Sequence, residues 1–153
     1  MATWQLMDAA ASDIANVYWL GAAAPTSTNF RLILCNAGAL TKASNITAVA
    51  AAEIANANGY TDGALLTGGA IAFDAAQLRA EVTYPAVTIT ASGGDITYDQ
   101  AVIIADAPTS DYSASRPVLL CDFGSAQTIP NGQDYAFTVQ YNHGENAADV
   151  SAA

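Results

Sequence analysis

One histidine, two cysteines and fourteen acidic residues are all that this chain offers for proton transfer, nucleophilic attack or metal binding. His143 stands in the polar run NHGEN, with no activated serine or cysteine pattern near it. A Ser-His-Asp or Cys-His site needs a nucleophile, a base and a third group that orients the base, so His143 reads as a solvated side chain. Cys35 (LILCN) and Cys121 (LLCDF) sit in apolar, strand-like runs and read as buried free thiols. With a single histidine they do not make a zinc site. Calcium asks only for oxygens. Asp95 and Asp99 flank ITY, and Asp106 and Asp111 bracket APTS, but the alternating loop of an EF-hand is absent, so these read as loop carboxylates. Glu53, Glu81, Glu145 and Asp122 are the remaining candidates for paired acid–base work, and nothing in their spacing places two of them in one cleft. Gly68-Gly69 and Gly93-Gly94 lack the lysine and the strand–helix setting of a phosphate loop and read as hairpin glycines. The chain is therefore expected to be no enzyme and to carry neither cofactor nor metal.

Binding is the remaining way to act. The net charge is −10, and the basic residues Arg31, Lys42, Arg79 and Arg116 are scattered. Nucleic acid and anionic lipid both need clustered positive charge, so neither is an expected partner. No apolar run is long enough to span a bilayer. The N-terminus has no basic start and carries Asp8 and Asp13 early, which argues against a signal peptide and for folding in a cytoplasm. Only 12% of residues are charged and 52% are hydrophobic, against about 25% charged in an ordinary domain. Such a surface fits burial in an assembly with other proteins and with copies of itself. The aromatics Trp4, Trp19, Tyr60, Tyr98, Tyr112, Tyr135 and Tyr141 are alternatively a sugar-stacking platform if they share an open face. Candidate contact residues are Trp4, Trp19, Asp111, Tyr112, Arg116 and Asn131, from the N-terminal arm and the two long polar loops.

The elements that would carry these groups are mainly strands. Gln5–Leu20 has the spacing of an amphipathic helix, ended by Gly21 and Pro25. Phe30–Cys35 is a strand apolar on both faces. Thr47–Ala55 is a short helix capped near Asn45, or a loop across a sheet end. Tyr60–Leu66, Ala70–Asp74, Leu78–Tyr84, Val87–Ala91, Ile96–Ala105, Pro117–Phe123 and Tyr135–Asn142 read as further strands. Pro85 marks an edge or bulge, and Gly124–Asp134 and Asp106–Ser115 read as loops. About seven short strands with regular turns give an all-β fold, an antiparallel β-sandwich or jelly-roll-like barrel with a short N-terminal helix. Residues 1–29 would form a helix-and-linker arm, 30–142 the sandwich and 143–153 a tail.

In order, FRLILCNAGALT, AAEIANANGYTDGAL, YPAVTITASGGDITYDQAVIIAD and RPVLLCDFGSAQTIPNGQDYAFTVQYN resemble a loose family of tailed-bacteriophage virion proteins over Phe30–Asn142. That family opens on a strand of the form lLFxNdvTPs, passes through an acidic segment to a Gly-Tyr, and closes on Gly-punctuated strands. Here Cys35-Asn36 lacks the following Asp-x-Thr-Pro, and Gln100-Ala101-Val102 replaces a Gly-Tyr. The resemblance implies a β-sandwich virion component assembled in the host bacterial cytoplasm. The expected role is a capsid cement or decoration protein contacting the major capsid protein. The alternative is a tail- or fibre-associated protein that binds host glycans.

Overall fold

The computed structural model describes residues 4–20, 29–36, 39–74, 79–106 and 115–143, with the side chains of 15–19, 73, 74, 79, 80, 106, 142 and 143 set aside. Eight strands form two antiparallel sheets. They are β1 (Trp4–Leu6), β2 (Asn29–Cys35), β3 (Ala64–Leu66), β4 (Ala70–Asp74), β5 (Arg79–Thr90), β6 (Ile96–Asp106), β7 (Arg116–Ile129) and β8 (Asp134–His143). One sheet has the order β1-β7-β6-β2-β3 and the other β4-β5-β8, so the fold is an all-β sandwich, with no barrel closure among the described residues. Helices α1 (Asp8–Leu20) and α2 (Ile46–Ala52) are the only helices described.

The continuous apolar runs of β2 and β6 have a simple cause: both faces of the five-stranded sheet are covered. Leu32, Leu34, Ala101, Ile103, Leu119 and Cys121 point inward and meet Ile89, Phe137 and Val139 of the other sheet. Their neighbours Ile33, Cys35, Val102, Ile104 and Leu120 point outward and are covered by Met7, Leu40 and Val49. A strand buried on one side only would alternate with polar residues. That is the pattern of β8, where Phe137, Val139 and Tyr141 are buried and Thr138 and Gln140 are partly exposed.

β3 is too short to cover the whole length of β2. It pairs with Phe30, Arg31 and Leu32 only. Beyond it, the edge of β2 is satisfied by the segment after α2. The Leu34 amide donates to the Tyr60 hydroxyl at 3.1 Å, Ile54 N–H donates to the Leu34 carbonyl at 3.0 Å and Asn36 N–H to the Ala52 carbonyl at 3.0 Å. The helix α2 that sets this segment in place is capped by Asn45, whose side chain accepts from Ala48 N–H.

Several elements differ from expectation. The N-terminal helix starts at Asp8, because Trp4–Leu6 pairs with Leu119–Cys121 as an edge strand. Of the expected strand Tyr60–Leu66 only Ala64–Leu66 is one, since Asp62 and Gly63 turn with positive φ. β5 runs unbroken through Pro85, which sits in an irregularity between Tyr84 and Val87. β7 continues to Ile129 through the stretch expected to be a loop: Asp122 pairs with Gln100 and Gln127 with Tyr98, and residues 123–126 bulge between them. Asp122 Oδ1 accepts from the Gly124 amide at 2.8 Å and holds that bulge. The true turn is Pro130–Gln133. His143 belongs to β8, in register with Ala80, rather than to a tail. Neither glycine pair closes a hairpin; each joins strands of different sheets.

Candidate interaction surface

At one end of the sandwich three turns are tied together. Ser92 N–H donates to the Asn58 carbonyl at 2.8 Å, and Asn58 Nδ2 donates to the Asp95 carbonyl at 2.7 Å. Asn131 N–H donates to Asp95 Oδ1 at 2.8 Å, while Asn131 Oδ1 accepts from Gly93 N–H at 3.0 Å. Asn131, expected as a contact residue, is thus spent on holding the turns. Gly59 is required here: its φ is +88°, and a Cβ would strike the Thr90 carbonyl.

At the opposite end a cleft of about 1050 Å³ lies between the sheets. Its walls are Phe30, Leu66, Ile103 and Leu119 from the larger sheet and Val82, Tyr84, Val139 and Tyr141 from the smaller. No charged residue lines it among the described residues. Burial pushes the Tyr84 and Tyr141 phenols above their ordinary value, so both hydroxyls stay neutral. The cleft offers apolar area and shape, and no charge.

One rim of this cleft is a corner. β3 is the outer strand of one sheet and β4 of the other, joined by Thr67-Gly68-Gly69. Gly69 lets the chain pass close to the Tyr84 ring, where a Cβ would come within 2.5 Å of Cε1. β3 packs across from β5. β4, one strand further out, therefore has no strand opposite it among the described residues. Ile71 pairs with Val82 and shares its cleft-facing side, yet is 76% exposed, and Leu65 on β3 is 48% exposed.

The other expected contact residues are dispersed. Trp4 is 2% exposed, in the core, with its indole Nε1 donating to the Thr138 carbonyl at 3.4 Å; it is not presented to a partner. Arg116 is exposed at the start of β7, 3.8 Å from Asp13 of α1. Asp111, Tyr112 and the Trp19 side chain lie outside the described residues. Sequence reasoning missed Ile71 and Leu65. The signal that marks them is the uncharged, proline-free run between Asp62 and Asp74.

The two thiols are sequestered. Cys35 and Cys121 are free and buried on opposite faces of the larger sheet, on strands separated by β6. Burial pushes each thiol up to about 12, far from a nucleophilic thiolate. Asp95 is engaged with the turns, and no group of three metal-ligating side chains occurs among the described residues. Searches of family models, curated proteins and solved structures return no match.

Glu53 gives a pH test of the packing. Its carboxylate accepts from the Tyr60 hydroxyl at 2.8 Å. Burial raises its pKa above the ordinary 4.5, with the Tyr60 hydrogen bond pulling the other way. A raised carboxyl favours the protonated acid in the folded state. Its contribution is then full below pH 4.5 and is lost as pH rises through the higher folded value. Glu53→Gln keeps an acceptor for Tyr60 and removes the charge. Thermal melts should coincide for the two proteins at low pH, with the variant becoming the more stable as pH rises to neutrality. A variant less stable at neutral than at low pH, relative to wild type, would contradict the assignment.

Proposed function

We propose that this protein is a structural component of a bacteriophage virion, acting as a capsid cement or decoration protein through protein–protein contact. The observation that carries the contact role is the uncharged cleft and corner. An apolar surface of this kind, left open on a domain otherwise covered on both faces of its larger sheet, is suited to burial against another protein. Composition supports the same reading, since a chain with 12% charged residues has little else to keep such surface apart. The placement on a virion rests on the resemblance of Phe30–Asn142 to tailed-phage virion proteins. Affinity at a lattice comes from multiplicity, so a modest contact repeated many times gives firm attachment. Catalysis has no part in this reading.

The test is co-sedimentation of the purified full chain with phage capsids that lack it. Saturable binding at a fixed number of copies per particle is expected. Absence of binding to capsids overturns the cement role.

A further inference from the structure

We infer that the β3–β4 corner is a self-association surface, on which a second copy of this chain docks edge to edge along β4 with Ile71 of each copy seated against the other's cleft.

The argument starts from how the sheet edges are treated. An outer strand carries a row of unpaired N–H and C=O groups, and proteins blunt such rows with charges, prolines, bulges or covering elements. At the β1 and β8 edges this is visible. β1 has three residues and leads directly into α1, and the Trp4 indole takes the Thr138 carbonyl of β8. Among the described residues, none of these devices stands along the corner from Gly63 to Phe73, and the one charge on β4 is Asp74 at its C-terminal end, in register with Arg79. No charged residue and no proline stands between Asp62 and Asp74. No backbone hydrogen bond from another element reaches β4 on its outer side among the described residues.

What covers it must satisfy two demands together: a row of backbone hydrogen bonds and an apolar cleft. An acyl chain or other small apolar molecule would fill the cleft and leave the β4 row unpaired. A polypeptide strand answers both. Among strands, β4 itself is the one the geometry favours. Antiparallel pairing of β4 with its own copy about a twofold axis turns two three-stranded sheets into one of six strands. The protruding Ile71 and the recess beside it lie on the same patch, as an isologous contact requires.

Charge fits the same occupant. Each copy carries −10, so two copies repel except where the meeting surfaces are neutral, and the corner from Gly63 to Phe73 is uncharged, with Asp74 at the end of β4 its nearest charge. Adding salt should therefore tighten the pair by screening the repulsion, the reverse of an interface held by ion pairs.

This inference rests on the contact reading of that corner and names a second copy as its occupant, whatever particle the protein belongs to. The experiment is sedimentation of the full chain over a range of protein and salt concentrations, for wild type, Ile71→Lys, Leu65→Lys and the conservative Ile71→Leu. Both lysine sites are exposed, and melts at low concentration report whether folding is preserved. Wild type should be a dimer that strengthens with salt. Ile71→Lys should weaken it by about 30-fold or more, as expected for loss of a central anchor, and Ile71→Leu should retain it. A wild type that stays monomeric overturns the inference, as does a dimer indifferent to Ile71→Lys. So does a monomer that carries a small apolar molecule in native mass spectra. A monomer that still binds capsids removes the self-association surface and leaves the particle role standing.

Discussion

Trp4→Ala is expected to cost about 3–5 kcal/mol of folding stability, as for other large aromatics removed from a packed core. Trp4 is 2% exposed and belongs to the cluster between the sheets. It is also the first residue of β1, opposite Cys121, so its packing fixes a strand that has only two other residues. Its indole N–H reaches the Thr138 carbonyl on the facing sheet, and truncation removes that donor as well as the ring. A chemical denaturation series should show the midpoint fall at unchanged slope, with Tm lower by on the order of 10 °C. A tryptophan on a contact surface would behave oppositely. Its loss would leave stability within about 0.5 kcal/mol and weaken only association.

The second large effect is at Gln100, a buried polar side chain on the outward face of the larger sheet, 1% exposed. It makes two hydrogen bonds to one residue: Leu40 N–H donates to Oε1 at 3.2 Å, and Nε2 donates to the Leu40 carbonyl at 3.0 Å. The side-chain amide thus imitates a backbone partner and pins the segment before α2 onto β6. Gln100→Leu has comparable bulk and satisfies neither group. Each buried backbone group left unpaired costs about 1–3 kcal/mol, so for the two Leu40 groups a loss of about 2–6 kcal/mol is expected. Hydrogen exchange gives the specific signature: the Leu40 amide should lose protection in Gln100→Leu while the amides of β8 keep theirs at matched stability. Equal loss at both places would mean that Gln100 contributes only packing.

The strands were legible where alternation or a doubly apolar run is strong. Phe30–Cys35, Ile96–Ala105 and Tyr135–Asn142 are found within a residue or two of their expected bounds. The short helix after Asn45 and the irregularity at Pro85 were each one of two readings the sequence left open, since a cap and a missing N–H act locally without deciding the wider pairing. What failed was whatever a distant partner decides. Gln5 and Leu6 fall in the expected helix Gln5–Leu20, but pairing of Trp4–Leu6 with β7 overrides it. Residues 124–129 read as a loop from their glycine, serine and alanine, yet β6 provides a ladder for them to rejoin. Edge position is the same kind of property. Ile71 looks like any inward-facing strand residue, and its 76% exposure follows only from the lack of a strand opposite β4. The candidate surface was legible as composition, a chain too poor in charge, and not as a place.

Trp4 shows why residue type alone misplaces a contact site, and Asn131 has a structural duty in the turns as well. Tryptophan is a good interface anchor and an equally good core residue, and burial decides between them. Asparagine in a turn serves the turn first.

The contact role on a virion is tested most directly by locating the protein in averaged images of particles, with and without it. The account predicts density for the sandwich at repeated, symmetry-related positions on the capsid exterior, lost in particles that lack the protein, and those particles should break at lower temperature. Capsids identical in density and heat resistance with and without the protein would contradict it.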